Sequence, residues 1–118
     1  MTQQASFRTY HIDGVPVVEV TGEIDIANVG EFREHLERAI NPEGEALVIS
    51  MEGVAYFDSR TVETIAQIAD RIAVMRRTMV IVAPGGGAAA KILRISGLNV
   101  RVPVFKTITE AIAAIKSD

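Results

Sequence analysis

The sequence predicts one α/β domain with a mixed, mainly parallel sheet of about five strands and about four helices. Three observations carry this. Short apolar runs of strand length alternate with amphipathic stretches at helical spacing, which implies parallel strands joined by right-handed crossovers. The first two strand-like runs are instead separated by Asp13-Gly14, a pair that tolerates positive φ and marks a hairpin. The length of 118 residues, with 48% hydrophobic and 23% charged, suits a single core.

The elements follow in the order β-β-α-β-α-β-α-β-α across residues 1–118. "SFRTYHI" and "VPVVEVTG" form the hairpin. Pro16 cannot donate to a ladder, so it belongs at an edge or a strand start. In "EIDIANVGEFREHLERAI", Val29, Phe32, Leu36, Ala39 and Ile40 recur at helical spacing. Asn28 or Asp25 is placed to cap that helix. Pro42 and Gly44 break the chain before "ALVIS" (46–50), a buried strand.

A second helix begins near Ser59, with Val62, Ile65, Ala66, Ala69, Ile72 and Ala73 as its apolar stripe. "MVIVA" (79–83) is the next buried strand. "PGGG" then leads into the helix "AAAKILRISGL", where Gly97 is the expected C-terminal cap. "VRVPVF" reads as a last strand weakened by Pro103. "TITEAIAAIKS" closes the chain as a helix with Ile108, Ala111, Ile112 and Ile115 inward and Thr107 or Thr109 as its cap.

Composition removes several function classes. Cysteine is absent, so disulfides and thiolate metal sites are excluded. A net charge of −3 and scattered Lys and Arg argue against a nucleic-acid face. No apolar run approaches the ~20 residues of a membrane span, and the first residues lack a signal-peptide core. The expectation is a soluble, cytoplasmic monomer. His11 and His35 fall on different elements without ligand spacing, so no metal is expected. "PGGGAAAK" matches neither the phosphate loop nor the dinucleotide fingerprint, and there is no G-x-S-x-G elbow. No cofactor and no catalytic activity are expected.

"FDSRT" (57–61) remains. Asp or Ser before an amphipathic helix is ordinarily a cap, yet the pattern is not a clean capping box, because Thr61 and Val62 stand where Glu or Gln would close it. At least one hydroxyl is left without a structural task. Phosphate on Ser59 would add about −1.5 to −2 charges at a helix end that accepts anions. Asp58 would oppose it and Arg60 would partly compensate. The residues by themselves leave both readings open, cap and switch.

Three segments, "VTGEIDIANVGEFREHL", "ALVISMEGVAYFDSRTVETIAQI" and "AAAKILRISGLNVRVPVFKTITEAI", occur in an order and spacing that resembles the STAS domain family. In particular the chain looks like the stand-alone anti-sigma factor antagonists of bacteria. That resemblance implies a protein that binds an anti-sigma factor with serine kinase activity and so releases a sigma factor. Phosphorylation of one serine ends the binding, and a phosphatase resets it. Ser59, preceded by Asp58, matches the family's phosphoserine. Asp25 in "GEID" matches an acidic residue near the phosphosite, and Asn28 is a further candidate for that surface. Family members usually read "DSSGLG" or "DSTGLG" where this chain reads "DSRTVE". Arg60 replaces a small hydroxyl residue, Thr61 replaces Gly, and Glu63 stands where small residues are common. Arg60 and Thr61 are therefore expected to tune partner choice, and Thr61 is a second candidate acceptor. The missing "SGLG" favours a rival reading as a scaffold or sensor module that is never phosphorylated. The 85–87 loop supports another, a small-ligand module for nucleotides or anions.

Overall fold

The computed structural model describes residues 4–40, 44 and 46–117. Its elements are β1 (Ser6–Ile12), β2 (Val15–Ile24), α1 (Val29–Ala39), β3 (Ala46–Phe57), α2 (Ser59–Val74), β4 (Thr78–Val82), α3 (Ala88–Ser96), α4 (Leu98–Arg101), β5 (Val104–Phe105) and α5 (Ile108–Lys116). The sheet order is β1-β2-β3-β4-β5. β1 is antiparallel to β2, and the remaining pairings are parallel. The hairpin forms as its sequence requires: Asp13 has φ 51° and Gly14 has φ +81°. Pro16 sits at the start of β2, before the pairing with β3 begins at Val17 and Val48. The expected break at Pro42 lies outside the described residues.

Each parallel crossover moves one strand along in the same direction, so right-handedness sends α1 to α4 to one face. There Phe32, Leu36, Ile65, Ile68 and Leu93 pack on Val18, Val20, Ile49 and Ile81. α5 alone covers the other face, with Ala111 and Ile112 on Val17, Val48, Val80 and Val82. β2, β3 and β4 are thus covered on both sides, which is why their apolar runs are continuous.

Three expectations are corrected. First, the described residues form five helices, because Leu98–Arg101 is a helical turn of its own that takes Val100 and Arg101 from the expected strand. Gly97 at φ 79° caps α3 and redirects the chain, while Leu98 buries itself against the core. Pro103 then has no N–H to give, and only Val104–Phe105 remains as β5. Second, β3 is 12 residues long, not five. Its pairing with β2 runs to Ile24–Phe57 across two register shifts, which hide the continuation from a period-2 reading. Third, α2 buries Thr61, Thr64 and Ile68 beside the expected Ile65 and Ile72; Val62, Ala66 and Ala69 of the expected stripe also pack on the core, half-buried, and Ala73 is exposed. The two threonines belong to the buried face although their hydroxyls make them polar.

Other details hold. Gly97 ends α3, and the Thr107 hydroxyl accepts from the Glu110 N–H at 3.1 Å as the cap of α5. Thr61 carries a cost, however. Its Oγ1 is buried and has no hydrogen-bond partner among the described residues. Gly22 is needed for a steric reason: at φ +86°, a Cβ would stand 2.4 Å from the Gln4 carbonyl oxygen. Gln4 forms an isolated parallel bridge to Glu23 there.

Two outcomes follow. Gly22→Ala should lower stability by about 2 kcal/mol, read as a lower urea midpoint at unchanged m-value, because it combines strain at positive φ with a backbone clash. Thr61→Val should keep the shape and remove the unpaired hydroxyl, raising stability by ~1 kcal/mol in the same assay. A fall on Thr61→Val would mean the hydroxyl has a partner in solution.

Candidate functional site

The site forms where the parallel strands end. Phe57 is the last residue of β3 and pairs with Ile24, the last of β2. Asp25 and Asp58 therefore leave the sheet side by side, each opening a loop or helix on the same edge. The carboxyl ends of parallel strands are where α/β sheets present their binding groups.

Asp58 is the N-cap of α2. Its Oδ1 accepts from the Arg60 N–H at 3.1 Å and the Thr61 N–H at 3.4 Å. Its Oδ2 takes a long, 3.5 Å contact from the Arg60 guanidinium. The Arg60 side chain is 57% exposed, so this pair contributes little to stability and leaves the guanidinium free to swing. Because Asp58 performs the capping, Ser59 is not needed for it. Ser59 is exposed as the first residue of α2, and its hydroxyl hydrogen-bonds no described residue.

The neighbouring loop is knitted from within. Asp25 Oδ1 accepts from the Ala27 N–H at 2.9 Å. Asn28 Nδ2 donates to the Glu23 carbonyl at 3.0 Å, and Asn28 Oδ1 accepts from the Asp25 N–H at 3.0 Å. Asn28 occupies the N-cap position of α1 without capping it. Its side chain holds the loop rather than offering itself outward, and it is half-buried.

The structure thus brings Asp25, Asp58, Ser59 and Arg60 to one surface. It does not bring Thr61 there. Thr61 is fully buried against the sheet, so in the folded chain it is neither an accessible acceptor nor part of a docking surface. A residue that is Gly at this point would leave that space empty; here the threonine side chain fills it.

Two surface residues went unnoticed in the sequence. Ile26 is 68% exposed and Tyr56 is 51% exposed, and both flank the site. Ile26 follows Asp25 but precedes the helical pattern of α1. Tyr56 lies just before Phe57, opposite Glu23 in the register. The signal was available: each is a large apolar residue next to a polar loop and off the predicted buried face. The 85–87 loop also lies on this edge, after β4. Its Gly87 N–H is used by the Pro84 carbonyl at 3.0 Å.

Compared with known proteins, residues 6–111 match the STAS domain model. No curated protein matches the chain. Among solved structures, an anti-sigma factor antagonist from Mycobacterium paratuberculosis is 23% identical, covers 97% of this chain and 96% of its own, and has a TM-score of 0.86. The Bacillus cell-fate determinant SpoIIAA in its phosphorylated form is 19% identical, with coverage of 94% and 100% and a TM-score of 0.71. The murine Solute Carrier 26 family member A9 anion transporter is 16% identical with a TM-score of 0.72, covering 98% of this chain but 22% of its own length. No described helix of the present chain is long and apolar enough to cross a membrane. At these identities the solved structures show a shared fold. The family is shown by the model match over almost the whole described length: the chain belongs to the STAS domain family.

Proposed function

We propose that this protein is an anti-sigma factor antagonist that docks on a kinase-type anti-sigma factor and is released when Ser59 is phosphorylated. The observation that carries the reading is the division of labour at α2: Asp58 caps the helix, which leaves an exposed Ser59 hydroxyl with no structural task. The γ-phosphoryl group of ATP passes to Ser59 Oγ, the hydroxyl proton leaves to a base of the kinase, and ADP is released. The protein is the substrate of this step, in a cytoplasmic setting, and acts as a single-domain monomer. A phosphatase hydrolyses the ester and resets it.

Magnitudes explain why such a mark would separate the partners without unfolding the antagonist. Two unit charges about 4 Å apart interact by ~1 kcal/mol in water but by ~4 kcal/mol at an effective dielectric near 20. On the free protein, phosphate at the start of α2 meets a favourable helix dipole and weak repulsion from Asp58. In a closed interface the same repulsion from Asp58 and Asp25 is desolvated. Ile26 and Tyr56 supply apolar surface for the partner, Arg60 shapes its rim, and Asn28 holds the Asp25 loop in place beneath it. Similarity to anti-sigma factor antagonists, one of them phosphorylated, supports this reading.

The sequence "RTVE" after Ser59 favours a second reading, a scaffold module that binds a regulatory protein without phosphorylation. Arg60 puts a bulky cation next to the acceptor where the family has a small residue. No comparable observation favours nucleotide or anion binding at the 85–87 loop.

Incubation with candidate kinase-type anti-sigma factors and ATP distinguishes the readings. Phosphate should appear on Ser59 by mass spectrometry and be absent in Ser59→Ala. Ser59→Glu should weaken binding about tenfold or more, or ~1.4 kcal/mol. Tight binding unchanged by either substitution, with no phosphate incorporated, would overturn the switch and leave the scaffold.

A further inference from the structure

β1 is an edge strand, and Phe7, Thr9 and His11 face the side of the sheet that carries α1. With His35, Arg38 and Ile40 at the end of α1 they line an open cavity of about 550 Å³. This volume lies within the range of small-molecule sites, ~300–1,000 Å³. The cavity opens where β2 begins, at the opposite end of the domain from Ser59.

Its chemistry departs from that of the whole chain. The protein has net charge −3, yet among the described residues no carboxylate lines this cavity. It is lined by two arginines, two imidazoles and a hydroxyl beside apolar walls; the Arg8 guanidinium is engaged by Glu19 at 2.8 Å, which leaves Arg38 as the cation for a ligand. The Phe7 ring is held flat by stacking on Phe32, with centroids 5.9 Å apart, and meets the His35 ring at 5.3 Å. Neither His11 nor His35 hydrogen-bonds a described residue, so their ring nitrogens have unused capacity. Arg38 pairs with Glu34 at 3.2 Å, but both side chains are well exposed and the pair is weak. The carbonyl end of α1 works against an anion here, and Arg38 in its last turn offsets that.

We propose that this cavity binds a small organic anion with a flat ring, of the aryl carboxylate or aryl phosphate class. The ring lies against Phe7 and His35, and the anionic group is held by Arg38 and the imidazole nitrogens. The site is independent of Ser59 and of the antagonist reading.

The test is an amide-resolved NMR titration of the whole chain with phenyl phosphate and benzoate, using benzyl alcohol as the uncharged control. Saturable shifts should centre on Thr9, His11, His35 and Arg38, with affinity on the order of 1 mM and benzyl alcohol about tenfold weaker. Arg38→Gln lies on an exposed helix position, and its thermal melt checks that the fold is kept. It should weaken phenyl phosphate about fivefold. Absence of saturable shifts, shifts centred on residues 85–87, equal binding of benzyl alcohol, or full affinity in Arg38→Gln would each overturn the proposal.

Discussion

The parallel pairing of β2 with β3 is the constraint on which the rest depends. It starts at Val17–Val48 and ends at Ile24–Phe57, and both strands run through the core. Because the two strands finish level, Asp25 and Asp58 emerge together. The register shifts at Glu19/Thr21 and Gly22/Glu23 are part of that result, since they bring strands of unequal length to a common end. A slip of one residue in either strand would exchange the side chains it presents to the two helical layers, so the packing of those layers holds the site in register.

Once the strands end level, a single carboxylate organises the surface. Asp58 uses Oδ1 on the backbone of the first turn of α2, which caps the helix and leaves Ser59 exposed. Below it Thr61 is pressed against the sheet, and Ile65, Ile68 and Ile72 continue the contact down the helix. Truncating a fully buried residue such as Ile68 costs on the order of 3 kcal/mol, whereas the exposed Arg60–Asp58 pair is worth well under ~1 kcal/mol. Position and orientation of the site therefore come from packing, while its charges remain available for binding.

Much of this was legible from residues. The Asp-Gly hairpin, the Gly97 and Thr107 caps, and the alternation that sets the parallel order all rest on local chemistry that a sequence displays. The site was legible through "FDSRT", but not the roles within it. Separating Asp58 as cap from Ser59 as free hydroxyl needs hydrogen-bond geometry. Thr61 was misplaced because threonine is ambiguous: its methyl packs while its hydroxyl suggests exposure. α4 and the length of β3 were missed because a short turn and a bulged strand lack the periodicity that longer regular elements show. The cavity between β1 and α1 joins residues 24 positions or more apart, such as His11 and His35, and no pattern along the chain links them.

The uneven distribution of helices has a consequence for how the molecule fails. One face of the sheet is closed by four helices that support one another, the other by α5 alone. α5 is attached through β5, a strand of only two residues. Release of α5 would be a local opening, because the helix rests on the strands through Ala111 and Ile112 and not on the other helical layer. Such an opening would uncover Val17, Val48, Val80 and Val82, a β-branched surface across three parallel strands. Association through that surface would need only the loss of the last helix, not the unfolding of the chain.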